Sequence, residues 1–154
     1  MDNIDKEKLE KFLNANNLMT LATANPKPWV ATVYYAFDKG FNLYFVSSPN
    51  SKHSHDIEKN KNVAIAIYDS HTKNSESKTG LQLQGVASRI KGWDMTTKML
   101  KIWHKSAPGM EDIVNIKNMK AKVISSRVYK ITPTIIKFFN QDLYGEEGYR
   151  VFKL

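Results

Sequence analysis

The chain contains no cysteine. Disulfides, thiolate nucleophiles and cysteine-held metal or iron–sulfur centres are therefore excluded, and any redox chemistry has to come from a bound cofactor. No apolar run is long enough to cross a bilayer, and Met1 to Lys11 alternates acids and bases with no apolar stretch behind a basic start. Neither a membrane helix nor a secretory leader is expected, and the expected location is the cytoplasm. The glycine-rich dinucleotide loop, the P-loop and the Gly-x-Ser-x-Gly elbow are all missing. What remains is 154 residues of which 42% are apolar, enough for one core, with no repeat, low-complexity block or linker to divide residues 1–154. A single domain is expected.

The formal charge of +8 is unevenly placed. Residues 1–90 carry eleven Lys/Arg against nine Asp/Glu, and residues 91–154 carry twelve against six. A basic surface attracts nucleic acid, an acidic membrane or a phosphorylated small molecule, and charge alone does not choose among them.

Hydrophobic periodicity reads as follows. Leu9, Phe12 and Leu13 fall at helical spacing within residues 4–17, a short amphipathic helix that stops at an Asn-rich stretch. Leu18 to Ala24 and Trp29 to Phe37 read as strands joined by the turn Asn25-Pro26-Lys27-Pro28, and Asp38-Lys39-Gly40 predicts a hairpin into Phe41 to Val46. These three strands are expected to form a meander. Ser51 to Glu58 reads as a short helix. Val63 to Tyr68 alternates large and small residues, as a strand of a narrow barrel does. Thr79 to Ile90 is a further strand in which Gly85 marks a bulge or a close backbone approach. Asp94 is read as the cap of a helix carrying Met95, Met99, Ile102 and Trp103 on one face. Lys122 to Phe139, interrupted at Thr132-Pro133, supplies one or two late strands, and Tyr149 to Phe152 a short final one. Helices do not alternate with strands, so a mostly antiparallel barrel with a few helices outside it fits better than a parallel α/β sheet.

The segment richest in chemistry is Tyr44 to Ile57, where a strand delivers the chain to a polar turn with Ser47, Ser48, Ser51, Lys52 and His53, followed by a helix start. Hydroxyls, backbone N–H groups, a helix N-terminus and a cation are the parts of a phosphate site. They are equally the parts of a solvated loop. His53, His55 and Asp56 suggest a metal, but zinc needs three or four convergent ligands, residues two apart on a helix do not share a face, and nothing brings His71 or His104 to them. No metal site is expected. Most of the aromatic residues belong to the core; Trp103 and Phe138-Phe139 are the rings to watch for stacking on a flat cofactor.

From Leu18 to Asp69 the sequence resembles the pyridoxamine 5′-phosphate oxidase-like family of FMN-binding split barrels. The resemblance lies in Leu21-Ala22-Thr23 before a proline turn, the strand Trp29 to Phe37, the Asp-Lys-Gly hairpin, Leu43 to Ser47, Ser51-Lys52-His53 and Asn62 to Ile65, and more loosely in Gln82 to Ala87. It implies a mainly β fold with flanking helices, a six-stranded antiparallel split β-barrel that forms a homodimer with FMN held between subunits. On that resemblance Val30, Ala31, Thr32 and Val33 line the flavin ring with backbone groups, and Val46 and Ser47 contact the ring or ribityl chain. Ser51, Lys52 and His53 grip the phosphate, while Gln82, Trp103 and Phe138 stand near the ring. The family's oxidases carry Arg-Lys where this chain has Lys52-His53, and no counterpart is found for their second-strand Arg or their C-terminal Arg and His. Oxidation of pyridoxamine phosphate is therefore not expected.

The leading expectation is an FMN-dependent oxidoreductase acting on a small molecule over the exposed ring face. The alternatives are the same fold holding another flat cofactor, a deazaflavin or haem with His104 as a candidate ligand, and a barrel that has lost its cofactor and serves as an interaction protein. A nucleic-acid-binding module using Lys91 to Arg150 is disfavoured, because the basic residues of that half are spread and not clustered.

Overall fold

A computed structural model describes residues 1–73, 75–91 and 126–154. The helix expected from Asp94, with Trp103 and His104, lies outside the described residues. The chain opens with α1 (Asn3–Ala15), capped by the Asp2 carboxylate, which accepts from the Asp5 N–H at 2.8 Å. Leu9, Phe12 and Leu13 are its buried stripe, as their spacing predicts. The helix stops where the Asn16 side chain turns back to donate to the Phe12 carbonyl at 2.9 Å, satisfying an end group the helix leaves open.

Eight strands follow, interrupted by two helices. They are β1 (Leu18–Ala24), β2 (Pro28–Tyr34), β3 (Ala36–Phe37), β4 (Leu43–Ser47), α2 (Lys52–Lys59), β5 (Asn62–Tyr68), β6 (Thr79–Arg89), β7 (Arg127–Asn140), α3 (Gln141–Tyr144) and β8 (Tyr149–Lys153). All pairings are antiparallel, in the order β2-β1-β5-β6-β7-β4-β3, with β8 on β7. β2 and β3 are consecutive in the chain, separated only by Tyr35, yet they sit at opposite ends of this path. The sheet therefore curls back on itself, and counting β2 and β3 as one bent strand gives the expected six-stranded barrel with β8 added at its side. The Tyr35 backbone N–H donates to the Asn17 carbonyl at 3.2 Å and its hydroxyl to the Leu13 carbonyl at 2.9 Å. One buried side chain thus pins the corner to the end of α1.

The expected meander is refined by this corner. β2 pairs with β1 and β3 with β4, so the middle strand belongs to both ends of the sheet. The hairpin signal holds through Asp38, whose carboxylate accepts from the Gly40 and Asn42 N–H groups at 2.9 and 3.0 Å and from the Tyr44 hydroxyl at 2.8 Å. The left-handed residue of the turn is Phe41, φ 59°, and not Gly40.

Gly85 serves both purposes its position predicts. The β6–β7 register shifts between Gln84 and Gly85, and a Cβ on Gly85 would stand 2.6 Å from the Thr132 carbonyl oxygen. Pro133, which has no N–H to give, pairs opposite this bulge. One long strand, not two, runs through Thr132-Pro133. Before the bulge its other edge serves β4, and after it β8. In β5 the large residues Val63, Ile65 and Ile67 point inward and Ala64 and Ala66 outward, so the alternation read from sequence separates core from outer face.

The C-terminal segment is tied back to α1. Asp5, 2% exposed, accepts from the Tyr144 hydroxyl and from Arg150 at 3.2 Å, and Asp2 meets the same guanidinium at 3.2 Å.

Candidate functional site

The pairing of the bent strand with β4 stops at Tyr44, and beyond Tyr35 the chain turns away to pair with β1. Among the described residues, β2 has a strand on one edge only, and Phe45 to Ser47 pairs only with β7. β2 and β4 approach one another without forming a ladder, and α2 packs against both β1 and β2. The result is a cleft flanked by two strand edges whose backbone donors and acceptors have no strand partner among the described residues.

The α2 end of this cleft is hydroxyl-rich. Ser51 caps α2 and lies within hydrogen-bond distance of Ser47 Oγ at 3.1 Å, Ser54 Oγ at 2.8 Å and His53 Nε2 at 3.1 Å. Ser47 Oγ stands 2.6 Å from the same imidazole nitrogen. The His53 ring is 8% exposed and tilted against Phe45 at 6.2 Å, and Phe45 in turn stacks on Tyr129 at 5.0 Å. Burial lowers the His53 pKa from its ordinary 6.5, with the Asp56 charge opposing, so the ring is neutral at pH 7 and offers one donor and one acceptor.

Lys52 points elsewhere. Its ammonium lies 2.5 Å from Asp56 Oδ1 and 3.3 Å from the Asn25 carbonyl. Asp56 is 1% exposed and takes its second hydrogen bond from the Thr23 hydroxyl at 2.8 Å. Burial pushes its carboxyl up, but the Lys52 and Thr23 hydrogen bonds more than offset this and hold it below the ordinary carboxylate value. The spacing of Asp56 from Lys52, four residues along a helix, was the signal for an ion pair. Among the described residues no three His, Asp or Glu side chains gather as a metal site would require.

The expected cofactor residues fall into four groups. Val30 to Val33 lie on β2, Val46 and Ser47 at the end of β4, and Ser51 and His53 at the start of α2, where Ser47, Ser51 and His53 meet. Lys52 is turned back on Asp56 and the β1–β2 turn. Gln82 sits mid-β6 on the outer sheet face, three strands from β2 in the pairing order. Within one protomer that is about 14 Å across the sheet. Phe138 is corrected: it is 0% exposed, packed in the core against Phe12 at 6.0 Å and Tyr144 at 6.3 Å. Its neighbour Phe139 reaches the outer face, and the in-out alternation of Ile136, Lys137, Phe138 and Phe139 carries that information. Trp103 lies outside the described residues.

The outer face carries its own depressions. One of about 520 Å³ is floored by Ala22, Ala64 and Ala66 and edged by Val30, Gln82 and Val151. An adjoining one of about 370 Å³ runs over Gly80 between Tyr68 and Phe139. Val30 at 62%, Tyr68 at 63% and Val151 at 51% exposure leave large apolar area on this face. Among the described residues no helix is long and apolar enough to cross a membrane.

Comparison with known proteins agrees with this architecture. The family model for pyridoxamine 5′-phosphate oxidase matches residues 5–138, and the chain belongs to that family. Its fold is the family's split barrel, mostly antiparallel β with a few helices. Among solved structures, the chain is similar to the haem storage protein HutZ of Vibrio cholerae, with 14% identity, a TM-score of 0.67, and 82% of this chain and 88% of that one covered. It is similar to a haem binding protein of Mycobacterium smegmatis, with 17% identity, a TM-score of 0.74 and 99% of this chain covered, but only 59% of that longer chain. A candidate pyridoxamine 5′-phosphate oxidase of Listeria innocua gives 19% identity, a TM-score of 0.63, and 86% and 96% coverage. At these identities the likeness is one of fold. No curated protein sequence matches the chain.

Proposed function

We propose that this chain binds FMN in the β2–β4 cleft as a homodimer and acts as a flavin-dependent oxidoreductase on a small molecule. The observation that carries the reading is the cleft itself: two strand edges with no strand partner among the described residues, ending at the Ser47, Ser51 and His53 cluster at the start of α2. These groups suit the parts of FMN. The β2 edge offers N–H and C=O groups to the rim of a heteroaromatic ring, and the hydroxyls and the α2 N-terminus offer donors to a phosphate. FMN would supply the electron-transfer chemistry when bound. The protein's part is to hold the ring, to set its hydrogen bonds and to limit water around it.

The homodimer rests on the outer face. Its small-residue floor and exposed Val30, Tyr68 and Val151 suit burial against a second copy, and Gln82 would then reach a ligand held mainly by the partner.

A haem-binding reading stands second. It is favoured by the α2 end of the cleft, where Lys52 is paired with Asp56 and Arg127 with Glu58, and by the haem-related descriptions of two similarly folded proteins. The deciding experiment is titration of the dialysed protein with FMN, riboflavin, FAD and haem, followed by flavin fluorescence and haem absorbance, with sedimentation of the same samples. Saturable FMN binding by a dimer supports the first reading. Haem binding without flavin binding replaces it.

A further inference from the structure

Lys52 occupies the position at which the resemblance puts a phosphate-gripping cation, and the structure commits that cation to another task. Lys52 and Asp56 are one turn apart on the same face of α2, and this face is turned toward Thr23 and the Asn25 carbonyl of the β1–β2 turn. His53, the next residue, is rotated about 100° around the helix and meets Ser47 on β4. The charge and the hydroxyl cluster therefore lie on different sides of the helix. Asp56 is 1% exposed, and the hydrogen-bond partners of its carboxylate among the described residues are Lys52 and the neutral Thr23 hydroxyl. Were Lys52 to leave for a ligand phosphate, a buried carboxylate would lose the counter-charge that this half-exposed lysine supplies, a cost that opposes the move.

We infer that Asp56 sets the ligand preference of the cleft by withholding the Lys52 charge from its α2 end; with Arg127, opposite Ser47 on β7, itself paired with Glu58, phosphate recognition among the described residues is left to the neutral donors Ser47, Ser51 and His53. The ligand class that follows is a flavin bound chiefly through its ring and ribityl chain, with FMN favoured over riboflavin by no more than about tenfold, well short of what a charge-assisted grip confers. This consequence rests on the FMN reading above; the hold of Asp56 on Lys52 does not.

The test uses the full chain and its K52M, D56N and K52M/D56N variants, each titrated with FMN and with riboflavin and each unfolded in urea. The FMN-to-riboflavin preference should be unchanged in K52M and in the double variant, and should rise about tenfold or more in D56N, where the ammonium is released. Loss of the preference in K52M, or no gain in D56N, overturns the inference. If K52M does not fold because Asp56 is left unpaired, the double variant, which removes both charges together, gives the same answer. If the unaltered protein binds neither flavin, the FMN reading falls and unfolding decides the rest. Coupling between positions 52 and 56 of about tenfold or more in the unfolding constant retains the Asp56 hold on Lys52, and additive effects overturn it.

Discussion

Ser47 Oγ and His53 Nε2 stand 2.6 Å apart, joining the end of β4 to the first turn of α2 across the mouth of the cleft. Because burial keeps His53 neutral in the folded chain, its folded pKa lies below the value of about 6.5 it has when unfolded. The unfolded chain therefore binds the extra proton first as pH falls. Stability should decline on acidification from pH 7 to 5.5, by at most about 1.4 kcal/mol per pH unit, and the decline should flatten in His53→Gln. Urea midpoints across that range measure it. An unchanged slope in the variant would show that His53 does not carry the effect.

Gly85→Ala should destabilise the barrel by about 2 kcal/mol or more. The added methyl would meet the Thr132 carbonyl oxygen at 2.6 Å and the Pro133 backbone at 3.2 Å, where neither can move without breaking the bulge. A urea midpoint equal to that of the unaltered chain would contradict the close approach.

Tyr35→Phe removes one hydroxyl and leaves the Leu13 carbonyl without its 2.9 Å donor at the strand corner. A loss of about 1–2 kcal/mol in unfolding free energy is expected, with no change in secondary structure by circular dichroism.

On the outer face, Ala66→Arg introduces a long charged side chain into the floor between Thr20 and Gln82, both directly opposite Ala66 on neighbouring strands. The fold should survive, since Ala66 points away from the core, while the proposed dimer should dissociate. Sedimentation equilibrium of a folded variant that remains dimeric would move the interface elsewhere.

Local order was legible wherever short-range physics decides it. The α1 stripe of Leu9, Phe12 and Leu13, the alternation of β5, the Asp38 turn and the break expected at Gly85 all follow from periodicity or from one residue's stereochemistry. The candidate site was legible only in its composition. That Ser47, Ser51 and His53 could meet was readable from the strand-to-helix sequence around them. The spacing of Lys52 and Asp56 signals an ion pair, but that Asp56 is buried required knowing that α2 lies against Thr23, 33 residues away in sequence from Asp56. Phe138 and Phe139 are adjacent and alike in chemistry, and the alternation with Ile136 and Lys137 assigns one to the core and the other to the surface.

By itself, then, the sequence determined the elements, their order and the antiparallel character of the barrel, because alternation, turn residues and helix caps act over a few residues. The tertiary structure alone decided that β2 and β3 lie at opposite ends of one curled sheet, that their divergence at Tyr35 opens the cleft beside β4, and that a buried carboxylate claims the Lys52 charge at its α2 end. Those outcomes depend on contacts between segments far apart in the chain, where burial and electrostatics outweigh any local preference.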